Sequence, residues 1–166
     1  MALLDILTIP DPRLKQESLP VEVFDDELRT FILDLEETMR ASPGGIGIAS
    51  PQVGRFQRIV ILDLSSKPKV VNHGRLVLVN PEITQWEGMV KGREGCMSVP
   101  DYTGNVIRAE KIQFSAYDEF GQQHHYETEG FEARAVQHEV DHLDGILFID
   151  RLVSRRTDLF QRKTYK

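Results

Sequence analysis

The stretch GFEARAVQHEVDHLDG, residues 130–145, decides how the chain must be built. Phe131, Ala135, Val136, Val140 and Leu143 recur at helical spacing, which predicts one helix over residues 131–143. Gly145 stands where a left-handed C-terminal cap belongs. An apolar stripe of this kind seats a helix on a core. On that helix His138 and His142 are one turn apart and share a face. Two imidazoles so placed can grip one metal ion. Glu139 directly follows the first histidine, so it would sit beside the metal's water rather than on the metal, as a general base does. Two solvated histidines on a surface helix would show the same spacing. The apolar stripe argues against that reading, because buried polar groups must find partners.

A catalytic zinc-type site needs a third protein ligand. The candidate is Cys96, the single cysteine of the chain, within REGCMSVP at residues 93–100. One cysteine allows no internal disulfide. A lone cysteine is commonly a small buried apolar residue, yet a thiolate binds divalent transition metals and loses its proton in doing so. Gly95 lets the backbone approach closely at this point. Spacing alone does not bring Cys96 to the histidines; a strand edge has to meet the helix.

Working outward, Pro10, Pro12 and Pro20 predict an extended, irregular lead-in. From Asp25 a second helical pattern begins, with Leu28, Phe31, Leu35 and Met39 on one face and Pro43-Gly44 as its stop. GGIGIASPQVG, residues 44–54, reads as a glycine-rich loop. It lacks the residues of a phosphate-binding loop. Strands are expected at residues 58–64, 75–79 (closed by Asn80-Pro81), 84–90, 105–109 and 112–117. A turn at residues 118–121 leads into a strand at 123–127. Residues 146–152 read as a short strand or extended segment. Short connections favour antiparallel hairpins. The class is α+β: antiparallel sheets packed around a central metal-binding helix, with an N-terminal helix. The length of 166 residues, with no repeat or linker, predicts one catalytic domain over residues 1–166.

The net charge of −6 gives no electrostatic footprint for nucleic acid or anionic membrane. Lys and Arg gather only near the end, at Arg151, Arg155, Arg156, Arg162, Lys163 and Lys166. That is a solvated basic tail in the ordinary case and a ribosome-proximal one in the functional case. No apolar run reaches the ~20 residues of a membrane span, and the N-terminus lacks a secretory pattern. The expected location is the cytoplasm, or an organelle if a targeting segment has been removed.

GIGIASPQ (45–52), EGCMS (94–98) and HEVDH (138–142) together resemble the three signature motifs of peptide deformylases, in the family's order. The opening ILTIPDPRL (6–14) and QHEVDHLDG (137–145) extend the resemblance over nearly the whole chain. It implies a hydrolase that removes the formyl group from the N-terminal formyl-methionine of nascent polypeptides and releases formate. It implies a divalent metal on Cys96, His138 and His142, ferrous iron in the family. The donor set alone would suit Zn2+ or another divalent transition metal. It implies that Glu139 moves the protons, and that the Gln52 amide and the Met97 N–H donate to the oxyanion. Gly45, Ile46 and Gly47 would offer backbone to an extended peptide, with Glu94 and Gly95 on the opposite wall. Ile46, Phe131 and Ala135 would line a methionine pocket. Glu94–Arg108 would be a buried pair and Arg134 a support for the ligands. Ser50 stands where the family usually has alanine and Met97 where it usually has leucine; both bear on substrate preference.

Two rivals share these motifs. A zinc endopeptidase of the HExxH kind takes its third ligand downstream of the helix, where this chain has no histidine. A non-catalytic structural metal site would need a fourth protein ligand, for which His73, His124 and His125 are the candidates.

Overall fold

The computed structural model describes residues 2–162. Lys163 and Lys166 of the basic tail therefore lie outside the described residues. Helix α1 spans Asp26–Ala41, and its N-cap Asp25 accepts from the Leu28 N–H at 2.9 Å. Such a cap fills one of the four donors that a helix start leaves orphaned. Its buried face is Leu28, Ile32, Leu35 and Met39. Phe31, expected in that stripe, is only half-buried and lies under the Arg55 guanidinium, 4.2 Å from the ring centre.

Five strands form the larger sheet in the order β1 (Gly47–Ala49), β2 (Ile59–Asp63), β3 (Arg75–Glu87), β6 (Lys111–Tyr117) and β7 (Gln123–Glu129). A smaller sheet holds β4 (Val90–Cys96), β5 (Val99–Arg108) and β8 (Leu159–Gln161). Each of these strand pairings is antiparallel. Helix α2, Gly130–Leu143, follows β7 directly.

Strand β2 shows why IVIL is apolar without a break. Side chains alternate across a strand. Ile59 and Ile61 pack against Leu28, Ile32, Leu35 and Met39 of α1. Val60 and Leu62 pack against Ala133, Val136 and Leu143 of α2. The larger sheet is thus covered on both faces, one helix to each. Among the described residues no helix is long and apolar enough to cross a membrane.

Several expected elements differ. The glycine-rich stretch contains β1 and a 3-10 turn, Ser50–Val53, rather than loop alone. Asn80-Pro81 does not end a strand. Strand β3 runs on to Glu87 through a bulge, with Asn80 at φ 52°. Asn80 tolerates that left-handed backbone because its side chain accepts from the Val21 N–H and donates to the Val21 carbonyl, at 2.8 and 2.9 Å. Residues 84–87 therefore belong to β3. Gly88 then turns the chain into β4, a strand whose glycines and charges gave no apolar alternation to read. The expected strand at 105–109 is the end of the longer β5. Residues 148–151 form a 3-10 turn rather than an extended segment, and β8 carries no sequence signal.

Gly145 closes α2 at φ +74°, and a Cβ built there would meet the Lys15 carbonyl oxygen at 2.3 Å. Gly145→Ala therefore adds a clash to the ~1–2 kcal/mol of left-handed strain. Urea unfolding should show a loss of at least that size; a change within about 0.5 kcal/mol, as at ordinary surface sites, would overturn this account.

Candidate active site

Cys96 is the last residue of β4, and a two-residue turn at Met97 and Ser98 leads into β5. His138 and His142 project from α2 with their rings 5.2 Å apart. The metal-binding atoms of Cys96, His138 and His142 all lie within 4.8 Å of one another. Cys96 Sγ is 3.3 Å from His142 Nε2. The strand edge thus meets the helix where the motifs required it. One sulfur and two imidazole nitrogens converging at this range fit a divalent transition metal, and a three-residue donor set is the catalytic rather than the structural pattern. His73 pairs with Glu132 and His124 with Asp118. Among the described residues, then, neither histidine joins the cluster.

The electrostatics suit a bound cation. Burial raises the Cys96 thiol, but the adjacent His142 and His138 outweigh this and hold it well below its ordinary range. Burial pushes His138 down, while hydrogen bonds to Cys96 and Glu94 draw it well above its ordinary range. His138 Nδ1 faces Glu94 Oε1 at 2.8 Å, which leaves Nε2 to ligate. Glu139 is buried, and desolvation raises its carboxyl above the usual value.

Glu94 is buried with both oxygens filled. Arg108 donates to it twice, at 2.9 Å each, and Arg134 donates at 2.7 Å. Burial alone would raise its pKa, yet the Arg108 and His138 contacts hold it well below the carboxylate range. Arg108 also donates to Asp141 at 2.6 Å, and Arg151 grips the same carboxylate. Asp141 was not singled out in the sequence; an acid on the core side of a helix was the available signal. Arg151, although exposed, is tied to that carboxylate.

Gln52 is buried. Its Oε1 accepts from the Ala49 N–H at 2.9 Å, and its Nε2 faces Ser98 Oγ at 3.1 Å and Cys96 Sγ at 3.5 Å. Ser98, the last residue of EGCMS, was given no role by the sequence. Ser50 donates to the Arg55 carbonyl at 2.6 Å.

A cleft of about 960 Å³ opens over the cluster. Gly45, Ile46 and Gly47 line it, β1 being the outermost strand of its sheet, and Glu94, Gly95, Cys96 and Met97 line it as well. Gly47 gives room for a close approach: a Cβ there would lie 2.8 Å from Leu62 Cδ2 and 3.0 Å from Glu139 Oε2 and would force one of them to move. Phe131 and Ala135 also line the cleft. Phe131 is 40% exposed, so it stands at the rim and not in the core stripe that its spacing suggested.

The sequence model of the polypeptide deformylase family matches residues 3–158. The chain belongs to that family. A peptide deformylase of Alkalilimnicola ehrlichii is 46% identical over 166 residues, covering 100% of this chain and 91% of the relative. The crystal structure of a peptide deformylase from Legionella pneumophila is similar, with TM-score 0.86, 41% identity, and 93% of this chain and 88% of that one covered. A Met-Ala-Ser-bound class I type b peptide deformylase from Acinetobacter baumannii is similar at TM-score 0.84 and 35% identity, covering 91% of this chain and 99% of that one.

In this family member Arg108 is the cation that two buried carboxylates share. Arg108→Met should take one cation from each, leaving Glu94 with Arg134 and His138 and Asp141 with Arg151, and lower stability by roughly 1.5–3 kcal/mol in urea titration. A loss under about 1 kcal/mol would mean that Glu94 and Asp141 are satisfied without it.

Proposed function

We propose that residues 1–166 act as one catalytic domain that hydrolyses the formyl group from the N-terminal formyl-methionine of newly made polypeptides, releasing formate and a free amine. The observation that carries this reading is the convergence of Cys96, His138 and His142 beside a buried Glu139 in an open cleft. Met-Ala-Ser, bound by the Acinetobacter baumannii relative, is what cleavage of formyl-Met-Ala-Ser would leave.

Cys96, His138 and His142 would hold a divalent metal, which would supply Lewis acidity, lowering the pKa of water from ~15.7 toward ~7. Glu139, its pKa raised by burial, takes a proton from the attacking water and delivers it to the methionine nitrogen as the C–N bond breaks. The Ala49 N–H fixes Gln52 Oε1, so the amide cannot flip and its Nε2–H points to the sulfur side, where the formyl oxygen gains charge. The Met97 N–H, in the turn after Cys96, is the second donor. The peptide lies extended, pairing its main chain with Gly45 and Ile46, which lead into β1, and with Gly47 at its free edge, with Gly95 opposite. Ile46, Phe131 and Ala135 receive the methionine side chain. Glu94 orients His138 through Nδ1, and Arg108 and Arg134 orient Glu94.

Family resemblance favours Fe2+ as the working metal, with Zn2+ acceptable to the same donors. The bacterial relatives favour the cytoplasm, where nascent chains emerge. Among the described basic residues near the end, nearness to the ribosome would draw on Arg155 and Arg156, both exposed, since Arg151 is paired with Asp141 and Arg162 bonds backbone carbonyls.

Protein purified without oxygen should release formate from formyl-Met-Ala-Ser. Cys96→Ser should lose metal and turnover together. Glu139→Ala should keep stoichiometric metal and lose ~10²–10⁴ in kcat. Metal retained by Cys96→Ser at full activity would remove Cys96 from the ligand set.

Gln52→Glu tests the oxyanion donor. It retains the acceptor for the Ala49 N–H but removes the amide donor. With metal content unchanged, kcat should fall roughly 10²–10³ while KM moves little. An unchanged kcat would leave Gln52 a purely structural residue.

A further inference from the structure

We infer that the mouth of the cleft selects formyl-methionine peptides with acidic residues directly after the methionine. The inference rests on the deformylase reading and refines its substrate. The chain carries a net charge of −6, yet the mouth is cationic: Lys67, Arg93 and Arg162 line it. The carboxylates that line the same cleft are Glu94 and Glu139, both buried. Glu94 is taken up by Arg108, Arg134 and His138. Among the described residues, no carboxylate forms an ion pair with Lys67, Arg93 or Arg162, and the protein's ion pairs are made elsewhere.

Arg93 is exposed yet held in place. Its guanidinium stacks 3.7 Å from the Phe160 ring centre, and its hydrogen-bond partners, Asn105 Oδ1 at 3.3 Å and Thr103 Oγ1 at 3.4 Å, are neutral. A charge held this way loses little further freedom on binding an anion. Arg162 lies over Gly95: a Cβ at that glycine would sit 2.8 Å from Arg162 Nη2. Its Nη2 donates to the Cys96 and Val99 carbonyls at 3.4 Å, and its Nε is buried with no partner among the described residues. Lys67 stands on the opposite side, 5.3 Å from the Phe131 ring centre.

Direction follows from the strand. Arg93 is two residues before Gly95 on β4 and so faces the same side. A peptide held between the β1 edge and Gly95 advances about 3.3 Å per residue. After the methionine it passes Arg162 and then Arg93, which puts its second and third side chains between cations. Each exposed contact is worth a factor of up to about five.

The test uses the metal-loaded enzyme and formyl-Met-Xaa-Xaa-amide peptides with Xaa Asp, Ala or Lys; a free-acid Ala peptide separates side-chain from terminal carboxylates. The expected order of kcat/KM is Asp over Ala over Lys, by about fivefold at each step in low salt, with the spread shrinking as salt screens it. Arg93→Glu should narrow or reverse the order, with circular dichroism confirming the fold. Asp and Lys peptides processed within about twofold of each other would overturn the inference while leaving deformylation intact. So would a gain confined to the free-acid peptide, or a preference that survives both Arg93→Glu and Lys67→Glu. Formate from none of the peptides would instead overturn the deformylase reading itself.

Discussion

The buried carboxylate of Glu94 is the constraint on which the rest of the site depends. Taking an ion out of water costs several kcal/mol, a debt repaid only when its hydrogen-bonding capacity is filled. Here Arg108 from β5 and Arg134 and His138 from α2 fill it. One side chain thus ties the β4–β5 hairpin to the helix. Arg108 extends the tie to Asp141, and the Gln137 amide bonds both the N–H and the carbonyl of Ala109. These contacts fix the helix in rotation and along its axis. Cys96 lies two residues beyond Glu94, across a shift in the β4–β5 register, and both side chains are buried. A carboxylate satisfied by the helix thereby delivers the sulfur to the histidines.

The apolar half of the structure supports this polar half from behind. Ala133, Val136 and Leu143 press α2 onto Val60 and Leu62, while α1 covers the other face of the same strand. With both faces buried, β2 cannot slip by one residue without turning its side chains to the wrong helix. Strand β1 pairs with β2 on one edge and lines the cleft with the other. The position of that edge is set by packing, and Gly47 lets Glu139 approach it closely.

Glycines elsewhere admit guanidinium groups. A Cβ on Gly92 would stand 2.9 Å from Arg134 Cζ, and one on Gly95 would crowd Arg162. Strand β4 is therefore poor in side chains where arginines must cross it. This is the physical reason that VKGREGC did not read as a strand: its pairing comes from hairpin register and its burial from ionic contacts, neither of which leaves an apolar alternation.

The sequence by itself determined what depends on local periodicity: both helices, β2, the β6–β7 hairpin and the one-turn spacing of His138 and His142. These follow because neighbours along a helix or strand share a face whatever surrounds them. The three motifs also carried the family. Only the tertiary structure decided that Cys96 lies within reach of His142, that Arg108 is shared by Glu94 and Asp141, that β3 runs through Asn80-Pro81, and that Phe131 stands at the rim rather than in the core. Those facts join residues 14 to 46 positions apart, or turn on how a neighbouring element covers a face. They are set by sheet register and by the need of buried polar groups for partners, and no window of sequence contains both sides of such a contact.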